Sequence, residues 1–228
     1  MIMSMYKMKV LTVLTIVVFI TLSCKQKSVQ LPTLDVVGIQ DTIYNNSKIW
    51  IFYNLNGNDA IAELNNNNSV ANTHWIFNID KRLSLKQVIP LIQQLQAKKE
   101  KPSMHDNGEI THSYFSYVDT ISNKLSLILF DSIKYIRDKS INREYILTST
   151  KFKHLLIDYK STDIYVNNVR VKKGGIKDYI SKQLDKRILK IDLSFEENIS
   201  YQNYLNIKAL LQNIKNDSII ISNSEFIY

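Results

Sequence analysis

The side chains best suited to metal or acid–base chemistry are the histidines and their acidic neighbours. His105 and His112 flank Asp106 and Glu109, and imidazole and carboxylate groups are common metal ligands. The spacing of these four residues matches no known metal-ligand pattern. In addition, His105 falls in a predicted loop, whereas His112 falls on a predicted strand. We therefore expect no metal site, and we interpret the histidines as exposed or half-buried structural residues.

Other patterns that mark catalytic sites are weak in this sequence. Glu196 and Glu197 are adjacent carboxylates, but they lie in the polar approach to a predicted helix with no sign of a substrate pocket. No serine occurs in a Gly-x-Ser-x-Gly motif, and the five glycines form no phosphate-binding loop. The aromatic residues fall mostly on inward strand positions, where core packing explains them better than a carbohydrate-binding platform. We therefore predict no catalytic residues, no cofactor and no enzymatic activity.

The single cysteine, Cys24, follows an N-terminal apolar segment. Residues 10–22 are apolar after a basic start, and the run is shorter than the roughly 20 residues that a membrane-spanning helix needs. This pattern is typical of a secretory signal peptide. Ser23 and Cys24 resemble the lipobox of bacterial lipoproteins, although the two preceding residues differ from the commonest ones. The resemblance implies cleavage before Cys24 and lipidation of its sulfur; a free or buried thiol is the alternative.

The charge of the chain narrows the choice of partners. The formal net charge is +8, and it falls to +6 if residues 1–23 are removed. Lysines are scattered, with short clusters such as Lys172 and Lys173, and no basic stripe alternates with aromatic residues. Together with export, this argues against nucleic acid and favours a solvated surface near anionic lipid or peptidoglycan. We expect a periplasm-facing location in the cell envelope with an anchor at Cys24. The residue after this cysteine is Lys25 and not an aspartate, which by analogy with lipoprotein sorting favours the outer membrane over the inner membrane.

The end of the chain has the clearest secondary-structure pattern. Apolar residues alternate over 188–195, which predicts a strand with one buried face. Ser200 is a suitable helix N-cap, and apolar residues recur at helical spacing over 204–214. The apolar run 218–221 predicts another strand. A helix of this length between two strands has the size of a crossover connection, so the strands are expected to be parallel neighbours.

A similar strand–helix–strand pattern occurs in the first half of the chain. Residues 74–79 predict a strand, and Ser84 with Gln87 predicts a capping box at the start of a helix. Pro90 lies inside that helix and predicts a kink or a late start. Residues 110–118 alternate like a strand. We interpret the two patterns as a degenerate tandem repeat.

These patterns predict an α+β chain with two small strand–helix–strand units. Each unit is expected to begin with a β-hairpin, and the region between the units has apolar residues at helical spacing, although residues 125–130 also fit a strand. The predicted segments are a signal peptide (1–23), a tether (24–41), a first α/β unit (42–119), a connecting helix (120–144) and a second unit (145–228).

The second unit resembles the periplasmic domain of the ExbD/TolR family over residues 154–222. The matching features are Ile164-Tyr165-Val166-Asn167 on a strand, with Asn168 in place of a glycine, and a strand with Asp192 followed by Tyr201 at a helix start. The resemblance implies a small β-sheet with two helices on one face. Members of this family are non-enzymatic partners of a proton channel.

The resemblance does not extend to the membrane helix of that family. That helix carries an aspartate that handles protons, whereas residues 10–22 contain no acidic residue. We therefore do not expect proton conduction by this chain. The resemblance therefore concerns only the soluble domain, which in the family dimerises and contacts partner proteins or the cell wall.

Two classes of function follow from the sequence. The first is a lipid-anchored, non-enzymatic interaction module of ExbD/TolR type, an accessory to an energised biopolymer-transport complex. The alternative is a periplasmic lipoprotein that acts as an immunity or inhibitor protein. We expect a protein partner or a homodimer, with peptidoglycan as a further candidate ligand. The expected interaction edge is apolar and consists of Ser218, Ile219, Ile220 and Ile221.

Overall fold

The computed structural model describes residues 27–65, 67, 69–101, 109–137, 152–212, 214 and 217–228. The predicted signal peptide, Cys24, and the pair His105 and Asp106 lie outside the described residues. The described chain has an α+β fold with two six-stranded mixed sheets and three α-helices, as the sequence predicts at this level.

The first sheet has the strand order β3–β2–β4–β5, with β6 on the far side of β5. Strands β2, β4 and β5 are parallel, whereas β3 and β6 pair antiparallel at the two edges. The short β1 pairs in parallel with the end of β5, beyond the last residue that pairs with β4. The strands are β1 (Thr33–Leu34), β2 (Asn46–Asn56), β3 (Asp59–Asn65), β4 (His74–Ile79), β5 (Ser113–Asp119) and β6 (Lys124–Leu129).

The second sheet has the strand order β10–β9–β8–β11–β12–β7. Strands β8, β11, β12 and β7 are parallel, and β9 and β10 add antiparallel pairs at one edge. The expected parallel pairing of β11 with β12 is confirmed. The strands are β7 (Lys134–Ile136), β8 (Lys153–Lys160), β9 (Asp163–Val166), β10 (Val169–Val171), β11 (Leu189–Phe195) and β12 (Ile219–Ile227).

The three helices are α1 (Leu85–Lys99), α2 (Ile176–Gln183) and α3 (Tyr201–Gln212). The capping box before α1 is confirmed, because the Gln87 side chain accepts a hydrogen bond from the Ser84 main-chain N–H at 3.1 Å. The helix begins at Leu85 and continues through Pro90, so the expected late start is wrong. A 3₁₀-helix (Lys173–Gly175) leads directly into α2.

One continuous hydrophobic core contains residues from both sheets and all three helices. Alternate residues of β11, among them Ile191 and Leu193, point into it, as the period of two in a strand requires. The crossovers β8–α2–β11 and β11–α3–β12 run in the same direction across the sheet, so right-handed connections place α2 and α3 on the same face. An edge-to-face contact between Phe115 of β5 and Tyr201 of α3 joins the first sheet to the second unit.

The predicted connecting helix over 120–144 is corrected by the structure wherever that region is described. Lys124–Leu129 form β6, antiparallel to β5, and Lys134–Ile136 form β7, parallel to β12. Leu125 and Leu129 are exposed, whereas Leu127 and Ile128, which point to opposite faces of the strand, are both buried. The helix prediction is wrong because this short apolar run fits both the period of a helix and the period of a strand. Pairing with a neighbouring strand decides between the two structures.

The predicted tether is also corrected for its described part, residues 27–41. The Gln30 N–H donates to the Asp80 carboxylate at 3.1 Å, and the Val118 N–H donates to the Pro32 carbonyl at 2.8 Å. Ile39 and Leu127 exchange two main-chain hydrogen bonds of 3.1 and 2.9 Å. This segment therefore belongs to the first sheet, because the edges of β5 and β6 offer main-chain partners that the local sequence does not reveal.

Candidate functional site

The two units meet where their main helices begin. Ser84 and Ser200, the residues before α1 and α3, form an antiparallel bridge. The Leu85 N–H donates to the Ile199 carbonyl at 3.0 Å, and the Tyr201 N–H donates to the Leu83 carbonyl at 2.7 Å. Each helix therefore has first-turn amides bonded to the main chain of the other unit.

The next residue of each helix, Lys86 in α1 and Gln202 in α3, also donates its N–H group to the main chain of the other unit. The Lys86 N–H donates to the Glu197 carbonyl at 2.7 Å, and the Gln202 N–H donates to the Lys81 carbonyl at 3.2 Å. The first helical N–H groups normally have no partner within their own helix. Here they bind across the junction, which makes the contact reciprocal and fixes the two helix starts against each other.

Titratable side chains of the first unit gather at the end of α1. The main-chain N–H of His112 donates to His74 Nδ1 at 3.0 Å, and the rings of the two histidines stack at 5.6 Å. His112 Nδ1 and the main-chain N–H of Ser113 both contact the Asp131 carboxylate. Lys99 Nζ lies 3.0 Å from Ser113 Oγ. Four separate stretches of chain supply this cluster.

The environment of the cluster shifts two of its pKa values. Burial lowers the pKa of His74, and the nearby positive charges of His112 and Lys99 lower it further. Burial likewise lowers the pKa of Lys99, while the Asp131 carboxylate opposes that shift. His74 is therefore predominantly neutral at pH 7, with its Nδ1 held as a hydrogen-bond acceptor.

A cavity of about 720 Å³ opens beside this cluster, lined by α1, the start of β5 and the stretch between β6 and β7. The side-chain amides of Gln93 and Gln96 donate to the Tyr135 and Ile133 carbonyls at 2.9 and 3.0 Å, which fixes this stretch to the helix. Over the described part of the chain, no group of three or more His, Cys, Asp or Glu side chains is placed to hold a metal ion. The polar groups bond mainly to one another, and we interpret the cluster as structural.

A second polar network is buried between α3 and the second sheet. Lys208 Nζ donates to Glu225, whose side chain is fully buried, and the Tyr204 hydroxyl donates to the same carboxylate at 2.8 Å. The hydroxyls of Tyr204 and Tyr135 are 3.1 Å apart, which ties β7 to this network. Burial raises the pKa of both tyrosines well above the ordinary value.

The adjacent carboxylates Glu196 and Glu197 have separate structural partners. Glu196 Oε2 accepts hydrogen bonds from the main-chain N–H and the hydroxyl of Ser161, at 2.7 and 3.1 Å. Glu197 Oε1 lies 3.6 Å from Lys86 Nζ. The two carboxylates therefore do not converge on one shared partner.

The expected interaction edge lies at the start of β12. Ile219, Ile220 and Ile221 pair with Leu189–Ile191 of β11 on one side, and Ser218 accepts the Leu189 N–H at 2.9 Å. On the other side, β7 pairs only with Ser224–Phe226, further along the strand. Ile220 is 41 % exposed, whereas Ile219 is buried. Whether these residues contact a partner stays a prediction.

Sequence reasoning singles out His112 but misses the other contributors to the two polar clusters. Lys99, Asp131 and Glu225 carry no local signal in the sequence. These groups are far apart in the sequence and meet only through sheet order and the junction of the units. Among the described residues, no helix is long and apolar enough to cross a membrane.

Comparison with known proteins gave no match to a family model, a curated protein or a solved structure.

Proposed function

We propose that this chain is a lipid-anchored protein of the cell envelope, a non-enzymatic interaction module of ExbD/TolR type. The observation that carries the proposal is the architecture of the second unit. A β8–β9 hairpin is followed by α2, the parallel strand β11, then α3 and the parallel strand β12. The resemblance implies a small sheet with two helices on one face, and this order of strands and helices supports the proposal.

Local features support the same proposal. Asn167 and Asn168 follow β9 with φ values of 47° and 67°, in the left-handed region that glycine adopts most readily. Asn168 therefore occupies a turn position that suits the glycine of the family pattern, and asparagine tolerates that conformation better than most residues. Tyr201 is the first residue of α3, as the resemblance implies.

The tandem repeat is part of the proposal. The strand orders β3–β2–β4–β5 and β9–β8–β11–β12 have the same parallel and antiparallel pairs, with a helix between the last two strands of each. The reciprocal bonds at Ser84 and Ser200 support an origin of the two units by duplication.

The anchor is tested by mass spectrometry of the chain recovered from cell membranes. We expect an N-terminal residue Cys24 that carries lipid, and we expect Cys24→Ala to abolish both processing and lipid modification. A Cys24→Ala chain that is still cleaved before residue 24, or a wild-type chain that begins at Cys24 without lipid, would refute the anchor.

The alternative function, an immunity or inhibitor protein, is favoured by one specific observation. Residues 170–190 contain eight Lys and Arg but only two Asp, and such a charged surface suits an acidic protein target. The oligomeric state of the chain, measured by analytical ultracentrifugation, helps to distinguish the two functions. Self-association that Ile220→Lys abolishes supports an ExbD/TolR-type module with an edge at β12, whereas a strict monomer favours the inhibitor.

A further inference from the structure

The excess positive charge of the protein is concentrated in one short stretch. Residues 170–190 carry a formal charge of +6, which equals the net charge of the chain once residues 1–23 are removed. In the structure this stretch forms β10, at one edge of the second sheet, and then the 3₁₀-helix Lys173–Gly175, α2 and the first two residues of β11. The basic side chains are almost all exposed. We call Arg170, Lys172, Lys173 and Lys177 the basic surface.

Acidic groups also lie near the basic surface, and one of them, Asp178, directly follows Lys177 and is exposed. Asp163 Oδ1 accepts a hydrogen bond from Arg170 at 2.6 Å, and Asp35 accepts one from the Thr120 hydroxyl. Lys172, Lys173 and Lys177 form no ion pair with any residue in the described part of the chain. These three ammonium groups therefore have no direct ion-pair partner among the described residues and are available to an external anion.

Two cavities meet at Lys173. A cavity of about 350 Å³ is lined by Arg170, Lys172 and Lys173 together with Tyr159 and Asp163. A cavity of about 340 Å³ is lined by Lys173 and Lys177, and its other polar residues are Asp35 and Asn206. The second cavity also has apolar walls, formed by Leu34, Val36, Ala209, Leu210 and Ile214. Cationic side chains beside an apolar recess match the chemistry of a molecule with an anionic head and an apolar tail.

The basic surface is also close to the proposed anchor along the chain. Leu34 lies ten residues after Cys24, and a fully extended chain spans at most about 3.3–3.6 Å per residue. The cavity wall at Leu34 therefore lies within about 35 Å of the lipid, and folded contacts from Gln30 onward shorten that reach. Few residues are left for a long spacer between membrane and fold.

We propose that the basic surface binds the anionic phospholipid headgroups of the membrane and so gives the protein a second membrane contact. This inference rests on the proposed lipid anchor at Cys24, since the anchor brings the surface to the bilayer. Basic residues near an anionic membrane each add to binding, and the attraction is screened by salt. An acidic protein or a cell-wall polymer is the competing partner for the same charges.

The test uses the mature chain from residue 24 with Cys24→Ser, which keeps every described element but carries no lipid. Co-sedimentation compares vesicles of phosphatidylcholine alone with vesicles that contain one third phosphatidylglycerol. We expect binding only to the anionic vesicles and a loss of at least about tenfold in affinity between 0.1 and 0.5 M NaCl. The double variant Lys173→Glu/Lys177→Glu should weaken binding at least about 30-fold.

The matched control is Lys48→Glu/Lys124→Glu, which changes the net charge equally at exposed positions of the first sheet. We expect this control to change affinity by no more than about threefold. Equal losses for the two double variants, or equal binding to both kinds of vesicle, would overturn the proposal. Because the test chain carries no lipid, its result is independent of whether Cys24 is processed in cells.

Discussion

Ser84 and Ser200 pair with each other in an antiparallel bridge, although 115 residues separate them in the sequence. Each serine is the residue before a helix, and each helix donates its first N–H groups to the main chain of the other unit. Helix starts usually depend on side-chain caps or water for these groups. In this protein, main-chain carbonyl groups of each unit also bind the first N–H groups of the helix in the other unit.

The junction predicts unusual protection of four amides. Leu85, Lys86, Tyr201 and Gln202 donate their N–H groups to main-chain carbonyls across the junction, at 2.7–3.2 Å. We expect these first-turn amides to exchange with solvent as slowly as core strand amides. Hydrogen exchange measured by NMR tests this, with the exposed turn at Gly57 and Asn58 as the fast reference. Exchange at the rate of that turn would mean that the units separate freely.

The packing of the N-terminal segment predicts a steric effect at Gly38. A Cβ atom there would lie 2.3 Å from the Tyr117 hydroxyl oxygen and 2.7 Å from the Leu127 carbonyl oxygen. We therefore expect Gly38→Ala to lower the free energy of unfolding by about 1–3 kcal/mol. Chemical denaturation measures the change.

Gly174→Ala is the matched control, because a Cβ at Gly174 would meet nothing within 4 Å. We expect this variant to leave the free energy of unfolding unchanged within about 0.5 kcal/mol or to raise it slightly. Equal stability of the two variants would show that residues 27–41 behave as the spacer that the sequence first suggested.

The strand and helix patterns of the two units could be predicted from the sequence because each element carries its own period. The alternation in β11 and the Ser84–Gln87 capping box both depend only on local residues. The role of residues 27–41 and the identity of β6 could not be predicted, because both depend on strand partners far away in the sequence. The polar clusters were hidden for the same reason.

The buried ion pair predicts a strong asymmetry between single and double substitution. Lys208→Met would leave the fully buried Glu225 carboxylate with Tyr204 as its remaining donor, and we expect a loss of about 3–5 kcal/mol in the free energy of unfolding. Adding Glu225→Gln removes the unpaired charge but keeps an acceptor for Tyr204. We expect this double variant to recover at least half of the loss in urea denaturation.

A small effect of Lys208→Met on the free energy of unfolding would contradict this prediction. If Lys208→Met costs less than about 1 kcal/mol, the Glu225 carboxylate is reached by water, and the pair behaves as a surface salt bridge.

The position of His74 predicts a contribution to pH-dependent stability. Burial lowers its pKa in the folded state below the ordinary value of 6.5. As the pH falls through 6.5, the unfolded chain therefore takes up a proton before the folded chain does, so the stability that His74 contributes is complete above this pH and is lost below it. His74→Asn keeps an acceptor for the His112 N–H but does not titrate.

The free energy of unfolding measured at pH 7.5 and pH 5.5 tests this contribution of His74. We expect the wild-type chain to lose more stability on acidification than His74→Asn does. Equal losses in the two chains would show that His74 has the same pKa in the folded and unfolded states.

The central claim is that the chain is an anchored interaction module of ExbD/TolR type, and in-cell crosslinking of the tagged full-length protein tests it most directly. The crosslinked complexes are captured and identified by mass spectrometry, with the Cys24→Ala chain as the control for anchoring. The account predicts recovery of an ExbB-like channel protein or of a second copy of this chain, in amounts that fall when Cys24 is replaced. Recovery of one soluble effector or hydrolase, with no self-contact, would contradict it and identify the protein as an inhibitor.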